Sequence, residues 1–339
     1  MFAALPPVFA GVSREAANEA SSLLRQVEVG PGDAVMLEGE SDTTLAFVVR
    51  GTAEQARGRL RVGSAGPRDL LGEVEVFAQC PRVCTVTAAG PLVLYALSPE
   101  GLSALCETAN PVVYAIERAV HRRISDRIRL LDVTIGERAS GEPFVIHPSR
   151  PSFMDRWTGR NRKAEPTAID PAATLKAFPL FQWADPSWVG HLAEFSSVQH
   201  FEPETVLFRQ GDDGDRMHLI VSGQVEVAIA LENGRAERVA VLGPGHGLGD
   251  TALELGAPRT RTCVARTSVT TLSFDRRNYL QLFERNDPVG SVFRQAITQN
   301  LVLKFLATMD RFVAVQERWT MNHPDVNDRV APMGGVWRD

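Results

Sequence analysis

The chain has 339 residues, 44% hydrophobic and 23% charged, enough apolar material for two domains or one large core. Its net charge of -5 argues against a broad nucleic-acid-binding surface. No run of about 18 apolar residues occurs, which excludes a transmembrane helix.

The opening MFAALPPVFAGVSRE lacks a basic leader, and Pro6-Pro7 interrupts it; a cytoplasmic protein is expected. From Glu28, EVGPGDAVMLEGESDTTLAFVVRGTAEQ alternates short strand-like runs with glycine turns, and Gly51 marks a corner. LLGEVEVFAQCPRVCTVTA follows, Leu70 to Ala88. Val113, Ile116, Val120, Ile124, Ile128 and Leu131 then recur at helical spacing over Pro111–Leu131. A proline-bearing stretch, 133–173, reads as a linker, and its Arg150–Lys163 segment mixes arginines with Phe153 and Trp157.

The pattern then returns. LFRQGDDGDRMHLIVSGQVEVAI gives strand, Gly/Asp turn, strand, Gly223 corner and strand; Asn233-Gly234 signals a hairpin. GLGDTALELGAPRTRTCVA, Gly247 to Ala265, matches the earlier stretch without a gap: Gly72 with Gly249, Pro81 with Pro258, Arg82 with Arg259, each 177 positions apart. Such a period is too long for a solenoid and indicates a duplicated domain. The last helix, 289–319, is apolar on more than one face, with Ile297, Leu301, Val302, Phe305, Met309, Phe312 and Trp319. That calls for burial on several sides, against its own domain or against a second subunit in a homodimer.

Two copies of a mixed α+β fold are expected, each an antiparallel β-barrel or jelly roll with flanking helices. The domains run 1–132 and 174–319, with a tail at 320–339. Four cysteines, Cys80, Cys84, Cys106 and Cys263, form no C-x-x-C pair and no zinc spacing, so no metal is expected. No Ser-His-Asp or Cys-His set is recognisable, and no catalytic residue is assigned. The kinase-like string RRIS at Arg122–Ser125 lies inside the helical pattern.

LGEVEVFAQCPRVCTV and LGDTALELGAPRTRTC resemble the phosphate cassette of the cyclic nucleotide-binding domain, shared by catabolite activators, protein kinase A regulatory subunits and cyclic-nucleotide-gated channels. That cassette reads approximately F-G-E-L-A-L-x-x-x-x-P-R-A-A-[TS]-V. The resemblance implies that Arg82 and Arg259 hold the cyclic phosphate, for which a guanidinium supplies a fixed fork. It places Gly72 and Gly249 where the backbone approaches closely, and counts Thr85 and Thr262, which follow the variable pair after each Pro-Arg, among the ligand-binding residues. Glu73 and Asp250 would accept the ribose 2′-hydroxyl. Backbone amides at the start of the short cassette helix would face the anion. Counting along the terminal helices, Arg127 and Ile128 would lie near the base in the first domain, Phe305 and Leu306 in the second.

Two departures rank the sites. Glu75 stands where the family keeps a small residue beside the phosphate, whereas Ala252 keeps that position small in the second copy. Asp250 is one methylene shorter than the family's glutamate. A like charge costs more than one weakened hydrogen bond, so the second copy is expected to bind better. The resemblance implies cAMP or cGMP as the ligand, with the base open, and no cofactor.

The residues after Trp319 are too few for the helix-turn-helix that catabolite activators append, so no nucleic-acid partner is expected. The reading is a non-enzymatic regulator that couples cyclic nucleotide to an unidentified protein partner through its terminal helices. The alternative is a scaffold with degenerate pockets.

Overall fold

The structure, a computed structural model, describes residues 6–140, 169–231 and 235–322. The Asn233-Gly234 hairpin signal, the Arg150–Lys163 segment and the tail beyond 322 lie wholly or partly outside the described residues. The described chain divides into two units, one up to Arg123 and one of Ile124–Asn322.

The first unit opens with α1 (Arg14–Ser22), whose Ser13 side chain accepts the Ala16 amide as a cap. Then come β1 (Leu24–Val29), β2 (Ala34–Met36), β3 (Leu45–Arg50), β4 (Ala53–Arg57), β5 (Leu60–Ala65), β6 (Leu70–Leu71), α2 (Glu73–Ala78), β7 (Thr85–Ala88), β8 (Leu92–Leu97) and α3 (Pro99–Glu107). Helix α4 (Pro111–Ser140) is continuous across the boundary between the units. The second unit continues with α5 (Pro171–Ala177), α6 (Pro186–Ala193), β9 (Ser197–Phe201), β10 (Val206–Phe208), β11 (Arg216–Ser222), β12 (Val225–Ala230), β13 (Ala236–Leu242), β14 (Gly247–Leu248), α7 (Asp250–Leu255), β15 (Thr262–Ala265), β16 (Val269–Asp275), α8 (Arg276–Glu284) and α9 (Pro288–Asn322).

The duplication is visible strand by strand. The first unit holds antiparallel sheets ordered β1-β8-β3-β6 and β2-β7-β4-β5; the second holds β9-β16-β11-β14 and β10-β15-β12-β13. Adding eight to each strand number converts one unit into the other. Even the irregularities repeat: the register shifts between Ala34 and Met36 in β2, and between Val206 and Phe208 in β10. This is the expected jelly-roll architecture, with helices flanking paired sheets.

Strand β11 shows why its apolar run is nearly continuous. Ile220, with Val269 of its own sheet, packs against Val225, Val227 and Cys263 of the other sheet. Met217 and Leu219 face the opposite way, onto Leu175, Leu192, Phe283, Phe293 and Ile297 from the helices. A strand covered on both faces must be apolar on both.

Helix α9 is buried on several sides, as its sequence requires. Val292, Phe293, Ala296 and Ile297 join the helical core, and Leu301, Phe305, Met309 and Phe312 are also buried. Its other face meets α4: the Arg127 guanidinium lies 4.3 Å from the Phe305 ring centre and that of Arg138 5.0 Å from Trp319. Part of the cover for this helix comes from the chain's own α4. Residues 124–132, read as the end of the first domain, therefore belong to the second unit. Helical periodicity reports that a face is buried, and says nothing of what buries it. The helix also runs to Ser140 and α5 starts at Pro171, both inside the stretch read as a linker.

Candidate ligand-binding sites in the two cassettes

Each cassette begins with a glycine that the geometry demands. Gly72 and Gly249 both have φ of 84°. A side chain there would strike the guanidinium of Arg82 or Arg259 and the carbonyl of Thr44 or Arg216. Only glycine combines that conformation with that approach.

In the first unit Arg82 is buried at 2% exposure. Its Nη2 donates to Asp42 at 2.6 Å and to the Thr44 carbonyl at 2.8 Å. Its Nη1 donates to Glu75 Oε2 at 3.3 Å, and the other Glu75 oxygen accepts the Val83 amide at 2.9 Å. Partial burial pushes the Asp42 carboxyl up, but the bonds from Arg82 and Thr44 outweigh it and hold the group below its usual range. Two carboxylates therefore neutralise this arginine. The cassette acid Glu73 is buried as well, with Arg123 Nε of α4 at 3.7 Å. Arg123 is anchored by Asp69 at 2.5 Å.

In the second unit Arg259 repeats the anchoring with one carboxylate in place of two. Nη2 donates to the Arg216 carbonyl at 2.6 Å and approaches the largely exposed Asp215 at 3.3 Å. Nη1 donates to the Gly249 carbonyl at 2.5 Å. No carboxylate stands at the position of Glu75, where Ala252 sits. The Nε of Arg259, like that of Arg82, is buried without a hydrogen-bond partner. Burial lowers its pKa, opposed by Asp215 and Asp250. Its plane covers Phe208 at 4.3 Å, and Phe208 stacks on His218. Burial first, then the charges of Arg259 and Arg216, pull the His218 pKa down to about 3, so it packs as a neutral ring.

A cavity of about 70 Å³ opens here, lined among others by Phe208, Ala252, Arg259, Lys304 and Ile128. A buried guanidinium whose paired carboxylate is largely exposed, beside a small side chain and a cavity, fits an anionic group. Asp250 is fully buried; Lys304 Nζ pairs with its Oδ1 and Asn300 Nδ2 lies 3.4 Å from its Oδ2. Burial lowers the Lys304 pKa and Asp250 raises it. Beside the cassette, Arg261 makes a bidentate pair with buried Asp132 of α4, the shortest distance 2.6 Å, and donates to Thr308. Thr260 donates to the same carboxylate at 2.6 Å.

Most residues singled out from sequence converge. Gly72, Glu73 and Arg82 surround one cassette; Gly249, Asp250, Ala252 and Arg259 surround the other. Thr85 and Thr262 hold strand edges, accepting the amides of Glu38 and Gln210 at 3.2 and 3.0 Å. Arg127, expected near the first base site, stacks on Phe305 in the second unit, and Ile128 lines the second cavity. Phe305 is buried beneath Arg127. Arg127 and Ile128 both lie in the second unit, because α4 passes from one unit to the other after Arg123. Sequence reasoning did not find Asp42, Asp215, Arg123, Lys304 or the Asp132–Arg261 pair. Only the 177-residue offset offered a hint, since it aligns Arg123 with Asn300 and Arg127 with Lys304.

Among the described residues, no helix is long and apolar enough to cross a membrane, and no cluster suited to a metal ion occurs. A family model for the cyclic nucleotide-binding domain matches residues 26–109 and 198–286, half of the chain. The chain belongs to this family and carries its domain twice. The cAMP-dependent protein kinase regulatory subunit of Yarrowia lipolytica is 23% identical over 83% of this chain and 62% of its own length. The CRP-like cAMP-activated global transcriptional regulator of Mycobacterium tuberculosis is 29% identical over 29% of this chain and 43% of its own. The chain thus spans less than two thirds of either protein. Among solved structures, the cAMP-binding acyltransferase from Mycobacterium smegmatis is 35% identical, covering 34% of this chain and 35% of that one, with a TM-score of 0.30.

Proposed function

We propose that this chain is a cytoplasmic, non-enzymatic regulator that binds cAMP or cGMP at its second cassette and passes the event to a protein partner through α4 and α9. The observation that carries the reading is Arg259: buried, paired with the largely exposed Asp215 where Arg82 has two carboxylates, and over a cavity with Ala252 at its side. A cyclic phosphate brings one negative charge and oxygen acceptors for those donors. Gly249, Asp250 and Thr262 complete the cassette. The regulatory subunits and regulators it is similar to are named for cAMP, which favours that ligand class.

The second reading, a scaffold with degenerate pockets, is favoured by one feature. In the first unit, Glu75 already supplies a carboxylate to Arg82, so Gly72, Glu73, Arg82 and Thr85 form a site with its cation spent.

Calorimetric titration of both cyclic nucleotides into wild type, Arg82→Ala and Arg259→Ala tests the proposal. Saturable binding lost only in Arg259→Ala is the expected result. Loss only in Arg82→Ala reverses the ranking, and no binding by folded wild type at millimolar ligand leaves the scaffold.

A further inference from the structure

We propose that Lys304 of α9 competes with the ligand's ribose 2′-hydroxyl for Asp250, and so sets affinity and sugar selectivity at the second cassette. The proposal rests on the functional reading above and adds a residue that the cassette pattern does not contain.

Asn300, Lys304 and Thr308 follow one another at intervals of four on α9, on a single helical face. All three turn towards the cassette. Asn300 Oδ1 accepts the Gly247 amide at 2.9 Å while its Nδ2 approaches Asp250. Lys304 pairs with the remaining Asp250 oxygen. Thr308 accepts from Arg261 at 2.6 Å. Both oxygens of the acid are thereby engaged by α9, in a setting where Asp250 is fully buried and the Lys304 side chain is 12% exposed.

An ammonium is a stronger partner for a buried carboxylate than a neutral hydroxyl. A ligand hydroxyl that bonds Asp250 must share oxygens already held by Lys304 and Asn300. A carboxylate whose charge is met by an ammonium gains less from a further hydroxyl, so the contribution of the 2′-hydroxyl is reduced while Lys304 is present. The first unit supplies independent support. There Glu73, the corresponding acid, faces Arg123 of α4, and Arg123 aligns with Asn300, one helical turn before Lys304. The position differs between the copies, yet a cation from the terminal helix meets the cassette acid in both.

The test titrates adenosine and guanosine 3′,5′-cyclic monophosphates, and their 2′-deoxy analogues, into full-length wild type, Lys304→Met, Lys304→Gln and Arg259→Ala, with each fold checked by circular dichroism. Wild type is expected to favour the ribose form by less than about threefold. Lys304→Met is expected to bind the ribose form about tenfold more tightly and to favour it over the 2′-deoxy form by about tenfold, the value of one hydrogen bond to a charged group. Should the methionine variant not fold, Lys304→Gln, which keeps a donor but no charge, must shift both ratios in the same direction. Binding only in a Lys304 variant also supports the proposal. Binding that Arg259→Ala abolishes, but that Lys304 variants leave unchanged or weaken, overturns the competition and keeps the functional reading. No binding by any folded protein overturns both.

Discussion

Glu75 offers Arg82 a carboxylate from within its own cassette: one oxygen lies 3.3 Å from Nη1, and the other accepts the amide of the next residue, Val83, at 2.9 Å. A guanidinium nitrogen and a neighbouring backbone amide are the donors that an anionic ligand would seek. Glu75→Ala copies the Ala252 of the second unit. It is expected to raise the calorimetric stoichiometry for cyclic nucleotide from one to two per chain. It should also cost about 1–3 kcal/mol of stability in the first unit, since a buried donor loses its partner. A stoichiometry that stays at one contradicts the assignment.

Gly249 is held at φ 84° with the Arg259 side chain and a carbonyl against its missing Cβ. Gly249→Ala is expected to destabilise by about 1–3 kcal/mol and to displace the guanidinium, abolishing ligand binding. Gly190→Ala is the control. Its added Cβ meets only Lys176, at 3.8 Å, within α6, where alanine is the better helix former by about 0.5–1 kcal/mol. Thermal melts of the two variants should move in opposite directions.

Asp132 is fully buried and bonds both Arg261 and Thr260. Removing one partner of such a pair leaves an uncompensated buried charge. Asp132→Ala is expected to destabilise the second unit by about 3–5 kcal/mol, read as faster hydrogen exchange in α9 and β15. The isosteric Asp132→Asn, which keeps an acceptor, should cost less.

His218 sets a pH dependence. Its pKa falls from 6.5 to about 3 in the fold. Between those values the unfolded chain binds a proton that the folded chain refuses, so stability rises with pH. The contribution is complete above about pH 6.5 and is lost as pH falls towards 3. By pH 5 it has dropped by about 2 kcal/mol. Replacing the ring by phenylalanine removes this slope, so His218→Phe should flatten the melting-temperature profile between pH 7 and pH 5. A profile as steep as wild type contradicts the assignment.

The architecture was legible because duplication writes each signal twice. Gly72 and Gly249 could be read as backbone-conformation residues from either copy, and the strand order confirms one repeat of eight. Arg82, Arg259, Glu73 and Asp250 were legible because their spacing belongs to a short local segment. What supports them was not. Asp42, Asp215, Lys304 and Asp132 reach the cassettes from 40 to 128 positions away, and no local pattern encodes which distant charge will be paired. Arg127 illustrates the limit. It was counted to the first base site, but the fold hands that part of α4 to the second unit.

The unequal fate of the twin arginines bears on dose response. A receptor with two equivalent pockets can sharpen its answer, because filling one can ease the filling of the other. With Arg82 already answered by Glu75, a chain that takes ligand at Arg259 alone follows a simple hyperbola with a Hill coefficient of one. Such a receptor reports gradual changes in concentration over a wide range and gives up the threshold that tandem occupancy would have supplied.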